Sequence, residues 1–516
     1  LHPPLNNSAL DLHETSSFLQ LMSQPEDASR LSPDSRRESE NQLLKLLSIE
    51  NFDADSCYER DSALEGLEPE WRDSVLLRDA VIKLLEARKG EGFLEESEYV
   101  RVQGVKSMGR VWHGDEIARS FLYRVITRTN AEGCIEEPEA HAWEAAFESL
   151  ALGWGQDPSV RDWLCSFLSG KPAVSSQNID LRNIRSQVPW TLGKGWKNDR
   201  LAKECLIAAV NSPSAIELDL AAILNALGQE WKGDADLKPV FAHVLKSRSI
   251  DGKPVIEDIE ARAAAIYSLA AGWPYDLEVN SLFVAVIRGD ANMTADSSDI
   301  VRSLATETLG KSMPGDTLIG TFLLDIITSR TSDGDFIESV KQVRAAAAKC
   351  LAERWQNSEG IREHLWQYLN ARRKDGSFAE TFCYARNSVI FGFRAKWKRD
   401  SELRNILCSL LDMRSQDGKI AEPCSLLRRT VIELLAEGWP ADDKARDSIL
   451  GFVRAQSERD KEASDEVFEA TKALGLGWPG DLAIKQGLIW IITNWESQSI
   501  VVTTAQKALE KAWPSH

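Results

Sequence analysis

The sequence offers little that is suited to covalent chemistry or to a membrane. No apolar run approaches the roughly 20 residues that a bilayer span requires, and no signal-peptide pattern opens the chain. Eight cysteines (Cys57, Cys134, Cys165, Cys205, Cys350, Cys383, Cys408 and Cys424) are scattered over 516 residues without one CxxC pair. That spread excludes a disulfide scaffold and reads as free, mostly buried thiols in a reducing compartment, hence a cytoplasmic protein. Seven histidines form no HExxH and no zinc-spaced cluster with cysteine. A G-x-S-x-G elbow and a dinucleotide glycine fingerprint are both missing. Gly310-Lys311-Ser312 echoes the end of a phosphate loop, but Ala305 stands where the loop's first glycine belongs. The expectation is therefore no catalytic residue, no metal and no cofactor. Positive charge is short as well: 61 Lys and Arg against 79 Asp and Glu leave a net charge of −18, which argues against a nucleic-acid coat or an anionic-membrane binder.

Tryptophan, in contrast, is abundant: 17 against 7 tyrosines. Trp71, Trp112, Trp154, Trp196, Trp231, Trp273, Trp355, Trp397, Trp439, Trp478 and Trp513 recur at 35 to 42 residues, with one gap of 82 that Met313 divides into 40 and 42. Self-similarity at this period is the mark of stacked helix pairs, each unable to bury its apolar face alone. The chain thus reads as all-α, a HEAT-like solenoid or superhelix of about twelve helix pairs. The recurring position, here called the hub, is expected to be a buried corner between one repeat's second helix and the next repeat's first.

Three residues past each continuing hub stand Ser74, Asp115, Asp157, Asp199, Asp234, Asp276, Asp316, Ser358, Asp400, Asp442 and Asp481. Such side chains accept hydrogen bonds from the orphaned amides of a helix's first turn, so they read as N-caps. An apolar stripe at helical spacing follows, as in Leu277, Leu282, Phe283 and Val286. A turn then comes at Asp251-Gly252, Asp333-Gly334, Asp375-Gly376 and Asp417-Gly418. Isolated acids beyond those turns (Glu338, Glu380 and Glu422) lack the spacing of a calcium loop, and pairs such as Glu95-Glu96 and Glu136-Glu137 read as solvated charge. Eleven residues before the hub, Arg60, Arg101, Arg185, Arg262, Arg302, Arg344, Arg386 and Arg428 recur on the second helix among alanines. Because small neighbours bring helices close, these guanidinium groups read as a ladder bonded to carbonyls or acids of the adjacent repeat, rather than as a phosphate-reading stripe.

Residues 1–37, rich in Ser, Pro, Asn and charge, read as a polar linker with a short helix; residues 38–516 read as the repeat array. Of the tryptophans outside the hubs (Trp143, Trp163, Trp190, Trp366, Trp490 and Trp495), Trp190 and Trp495 are the candidates for an exposed binding aromatic. The residues themselves single out no partner-binding set.

Units such as Ala261-Arg262-Ala263-Ala264 leading to Gly272-Trp273-Pro274-Tyr275-Asp276, and Leu427-Arg428 leading to Gly438-Trp439-Pro440-Ala441-Asp442, resemble HEAT repeats. More narrowly, the array resembles the C-terminal HEAT region of bacterial NACHT-type STAND NTPases. That resemblance implies a sensor or autoinhibitory arm in signalling or antiphage defence, coupled to an N-terminal NTPase module that this sequence does not contain. The function expected is non-enzymatic recognition of a protein partner on the concave surface or the loops. Two other readings stay open: a freestanding scaffold or adaptor joining two proteins, and a HEAT-fold nucleic-acid enzyme. The last would need a basic groove holding an aromatic and an acid.

Overall fold

The computed structural model describes residues 33–49, 52, 54–130, 135–169, 179–212, 219–396, 400–414, 422–456, 461–495 and 499–513. Most of residues 1–37, and also Cys134, Trp397 and Asp417-Gly418, lie outside them. Among the described residues run 24 α-helices. They are α1 (Pro33–Leu47), α2 (Cys57–Glu65), α3 (Val75–Glu86), α4 (Glu98–Arg110), α5 (Glu116–Thr127), α6 (Ala140–Gly153), α7 (Pro158–Leu168) and α8 (Ile179–Gly195). Next come α9 (Arg200–Val210), α10 (Leu220–Glu230), α11 (Leu237–Lys246), α12 (Ile259–Gly272), α13 (Leu277–Arg288), α14 (Asp299–Ser312), α15 (Thr317–Thr328) and α16 (Lys341–Arg354). The chain continues through α17 (Ile361–Asn370), α18 (Cys383–Lys396), α19 (Ser401–Asp412), α20 (Ser425–Gly438), α21 (Asp443–Ala455), α22 (Lys461–Gly477), α23 (Leu482–Asn494) and α24 (Ile500–Ala512). Odd numbers are first helices and even numbers second helices, twelve pairs in all. Helix α1 begins within the stretch read as linker.

The helices divide into two compact units, Leu1–Leu245 with Glu260–Gly272, and Lys246–Ile259 with Trp273–His516. Inside each, like packs on like: α4 lies against α6 and α6 against α8 in the first unit, α14 against α16 and α16 against α18 in the second, with first helices such as α7 and α9 forming a parallel layer. The core is the apolar stripe of each helix, for example Leu282, Phe283 and Val286. Second helices approach closely through small residues. A methyl group added at Gly392 of α18 would stand 2.1 Å from the Ala352 methyl of α16, so Ala or Gly on both sides is a packing requirement.

Each repeat turns twice. At the hub, the chain leaves the second helix and passes through a left-handed residue two positions on: Gly114, Gln156, Asn198, Gly233, Tyr275, Gly315, Ala441 and Gly480 all have positive φ. It re-enters a helix at the cap. The other turn is a narrow antiparallel hairpin. In the first unit it is built from β1 (Arg88–Lys89) and β2 (Gly92–Phe93), and in the second it recurs as the bridges Arg330 to Phe336 and Arg372 to Phe378. Gly334 and Gly376 supply the positive φ at its tip, as an Asp-Gly turn requires.

Candidate functional site

The cap aspartates bond first-turn amides. Asp115 accepts from Ile117 and Ala118, Asp157 from Ser159, Asp199 from Ala202, Asp276 from Glu278 and Val279, and Asp316 from Ile319. Asp400 accepts from Glu402 and Leu403, Asp442 from Ala445, and Asp481 from Ala483 and Ile484. Two positions differ. Asp234 accepts from Asp236 N ahead of a helix that starts at Leu237, and beyond Ser358 the helix starts late, at Ile361, with left-handed Gly360 as its N-cap.

The cap carboxylate has a second oxygen, and this one joins repeats. Arg78 reaches Asp115 at 2.6 Å, Arg119 reaches Asp157 at 3.0 Å, Arg161 reaches Asp199 at 2.8 Å, and Lys203 reaches Asp234 at 2.6 Å. In the second unit Arg362, Arg404 and Arg446 reach Asp400, Asp442 and Asp481. All seven cations stand seven residues past a hub. Sequence reasoning missed this row, although its period was there to be read.

The hub side chains close the pair they end, not the corner ahead. Because the two helices of a pair are antiparallel, the end of the second lies beside the start of the first. Trp196, Trp355 and Trp478 donate their indole N–H to the cap carbonyls of Asp157, Asp316 and Asp442 at 3.2, 3.2 and 3.1 Å. Trp71, Trp112, Trp154, Trp231 and Trp439 are buried too. Trp112, Trp154 and Trp439 lack a partner for the indole nitrogen among the described residues. Burial is not uniform, however: Trp273, Met313 and Trp513 are only half-buried.

The second-helix arginines find carboxylates. Arg60 pairs with Glu95 at 2.7 Å, Arg101 with Glu137 at 2.8 Å, Arg302 with Glu338, Arg344 with Glu380 at 2.7 Å, Arg386 with Glu422, and Arg428 with Glu466 at 2.6 Å. Arg262 is buried, and the Arg185 side chain lies outside the described residues. Thus Glu95 and Glu137, read as solvated, are buried partners of the ladder. Except for Glu466, which lies inside α22, each acid also accepts from the amide two residues on, as Glu380 does from Phe382 N at 2.8 Å, so the start of one second helix is held to the arginine of the preceding one. A phenylalanine from the hairpin completes the seat. The Phe336 ring lies between Arg330 (3.4 Å) and Arg344 (4.6 Å), and the Phe378 ring between Arg372 (3.3 Å) and Arg386 (4.2 Å). Trp143 occupies an arginine slot and sends its N–H to the Glu137 carbonyl.

With hubs, caps and ladder engaged in holding repeats together, one surface left for a ligand is the outward stripe of the second helices. On α4 this stripe is Tyr99, Lys106 and Arg110, at the spacing of one helical face. Beside it, on α6 and α8, stand Glu148, Leu152 and Lys194. Lys106, Arg110, Glu148, Ser149, Ala151, Leu152 and Lys194 line an open groove of about 400 Å³. Leu152 is 68% exposed. Lys194 lies 3.9 Å from Glu148. Arg110 is held by the carbonyls of Leu64, Glu65 and Leu67 at the end of α2. Neither it nor Lys106 has a carboxylate within ion-pair distance among the described residues. The groove is therefore basic with an apolar centre, on a chain whose net charge is −18. Of the two candidates for an exposed binding aromatic, Trp190 is half-buried on α8 and Trp495 is buried. No group of three or more His, Cys, Asp and Glu that could hold a metal occurs among the described residues, and no helix there is long and apolar enough to cross a membrane.

No family model matches the sequence, and no curated protein matches it. Solved structures do align. Yeast importin-beta (Kap95p) matches with a TM-score of 0.45 at 14% identity, over 96% of this chain and 61% of that one. Kap95p with Nup1 gives 0.44 at 14% over the same shares. Importin beta from a polyethylene glycol condition gives 0.38 at 14%, over 99% of this chain and 68% of that one. The chain thus spans less than two thirds of the Kap95p structures it matches. Six antiparallel pairs in each unit, stacked like on like, make each an all-α solenoid of HEAT-type repeats.

Proposed function

We propose that this chain is a non-enzymatic protein-recognition array and that the second-helix face of its first unit receives an acidic, partly apolar segment of the partner. The observation that carries this reading is the groove over α4, α6 and α8. It combines an exposed leucine with Lys106 and Arg110, whose charges no carboxylate answers among the described residues. An apolar centre inside a polar rim is the usual anatomy of a protein-docking surface, and arginine is among the residues enriched at its hot spots. The groove's lining contains no aromatic side chain, whereas the nucleic-acid-enzyme alternative needs an aromatic and an acid in one basic groove. The resemblance to the HEAT arrays of STAND NTPases supports a finer reading, a sensor or autoinhibitory arm responding to a protein trigger. The adaptor reading shares the same surface.

Affinity capture with the whole chain tests the proposal, comparing the parent with Leu152→Asp/Lys106→Glu and with Leu318→Asp, a control at an exposed leucine of a first helix. A protein retained by the parent and the control but lost with the double variant, while circular dichroism stays unchanged, is the expected result. An identical retained set for all three overturns the assignment of the face. A reading frame that continues upstream of Leu1 into a Walker A motif supports the sensor over the adaptor, and one that does not favours the adaptor.

A further inference from the structure

All seven described cysteines are free thiols, yet two of them are not apart from one another. Cys165 stands near the end of α7 and Cys205 in the middle of α9, first helices of consecutive repeats that pack side by side. The Cys205 sulfur lies 3.9 Å from the Cys165 carbonyl oxygen, so the Cys205 side chain reaches the Cys165 backbone across the seam between the two helices. Both side chains are half-buried, so a small oxidant can reach them from solvent. Neither belongs to a hub, a cap, a ladder pair or the groove. Sequence spacing hides the relation, since 40 residues separate the two and only the stacking of repeats brings them together.

We propose that Cys165 and Cys205 form a reversible disulfide that staples one repeat to the next under oxidising conditions, a redox modification site on the first-helix layer of the first unit. The oxidant is a low-molecular-weight disulfide of the glutathione class. The Cys205 thiolate attacks one sulfur of that disulfide, which forms a mixed disulfide and releases one small thiolate. The Cys165 thiolate then attacks the Cys205 sulfur, closing the protein disulfide and expelling the second small thiolate. Two protein thiols are oxidised, one small disulfide is reduced to two thiols, and the two protons pass from the cysteines to the leaving thiolates. Cys205 suits the first step because the neighbouring Cys165 thiol holds the Cys205 pKa below that of an ordinary thiol. Cys165, whose thiol the neighbouring Cys205 and burial push up, is the resolving partner. The 3.9 Å approach of the Cys205 sulfur to the Cys165 backbone is the contact from which the disulfide closes. Closing it ties α7 to α9 and fixes the spacing of two repeats while leaving every second-helix contact in place.

The test treats the native, full chain with oxidised glutathione, quenches it with iodoacetamide, and maps the proteolytic peptides by mass spectrometry. The expected product is a cross-linked peptide pair containing Cys165 and Cys205, reversed by dithiothreitol and lost in Cys205→Ser. Amide exchange in α9 is expected to slow about tenfold or more in the oxidised parent, with no change in Cys165→Ser treated alike. If the two cysteines are recovered alkylated, or as separate glutathione adducts that never resolve into the linked pair, the proposal is overturned. Cys165→Ser also guards the reading against misfolding, since its circular dichroism must match the parent's while the cross-link disappears.

Discussion

Two rows of ion pairs hold consecutive repeats of the second unit together, and they behave differently along the chain. The second-helix row is continuous through four neighbouring arginines, Arg302, Arg344, Arg386 and Arg428, each with its glutamate. The first-helix row is broken twice in succession. Where Met313 replaces the hub tryptophan, the slot seven residues past the preceding hub holds Asn280, which donates to the Met313 sulfur at 2.9 Å and accepts from the Ser312 hydroxyl. Asp316 is left as a cap without an inter-repeat cation among the described residues. In the next repeat the slot holds Gly320, which has no side chain to offer. The difference follows burial. Arg386 and Glu422 are each 1% exposed, so losing one partner strands a charge in the core, whereas Arg446 and Asp481 keep contact with water at 14% and 25%. A buried row cannot be interrupted without replacing both members; an exposed one can.

The sharpest way to break the comparison is Arg386→Ala. It leaves Glu422 buried and unpaired, and removal of one partner of such a pair costs about 3–5 kcal/mol. A drop of that size in the urea midpoint of the second unit, followed by local amide exchange, is the expected outcome. The double variant Arg386→Met/Glu422→Met should recover most of the loss, because a matched apolar pair carries no desolvation cost. Equal losses for single and double variants would mean that packing, not charge, makes the row indispensable.

Gly320→Ala is the next step down. The added methyl would stand 2.7 Å from the Trp355 indole nitrogen, so the ring must move and its bond to the Asp316 carbonyl is strained. Overpacking of this kind costs about 1–3 kcal/mol. The same substitution at Gly451, which has nothing within 4 Å of the added atom, should stabilise α21 slightly through helix propensity. The gap in the first-helix row at Gly320 is thus tied to room for a hub.

Asp481→Asn and Asp316→Asn compare an intact junction with a broken one directly. Asparagine keeps the cap, so the difference between the two variants isolates the inter-repeat cation. Asp481→Asn should cost about 0.5–1 kcal/mol more than Asp316→Asn at neutral pH. Burial pushes the Asp481 carboxyl up, but Arg446 and the amides of Ala483 and Ile484 more than offset this and hold it below the ordinary carboxylate range. A depressed value in the folded state stabilises fully above the unfolded value of about 3.9 and is lost as pH falls through the folded one. The deficit of Asp481→Asn should therefore be constant from pH 7 to about pH 5, shrink below about pH 4 and vanish once both forms are neutral. A deficit independent of pH would assign Asp481 to capping alone.

These contrasts also show where the sequence was readable. The hub period led to twelve helix pairs, because tryptophan, here more than twice as frequent as tyrosine, recurs every 35 to 42 residues. Caps were readable since capping is local: donor and acceptor lie within three residues. The arginine ladder was half readable. Its cations were found by period, but their acids stand 35 to 38 residues downstream, as Arg60 and Glu95 or Arg428 and Glu466 do, among many solvated acids of the same type. The row at Arg78, Arg119 and Arg161 was hidden for the opposite reason, since a basic residue on an amphipathic first helix looks like ordinary solvent-facing charge. The groove at Leu152 was not readable at all, because exposure depends on which stripe the neighbouring repeats leave uncovered.

The smallest effect probes the hub turn that both kinds of junction share. Ala441 sits at φ 65°, where the equivalent positions after Met313 and Trp478 are Gly315 at 82° and Gly480 at 83°. A side chain in this region crowds its own carbonyl, at a cost of about 1–2 kcal/mol that glycine avoids. Glycine also loses more freedom on folding, which returns part of that difference. Ala441→Gly should therefore stabilise the second unit by about 0.5–1 kcal/mol, and Gly315→Ala should destabilise it by a similar amount, read as opposite shifts in urea midpoint. If Gly315→Ala costs less than Ala441→Gly gains, the Met313 junction has slack that the Trp439 junction lacks, and the break in the first-helix row extends to the backbone of the turn.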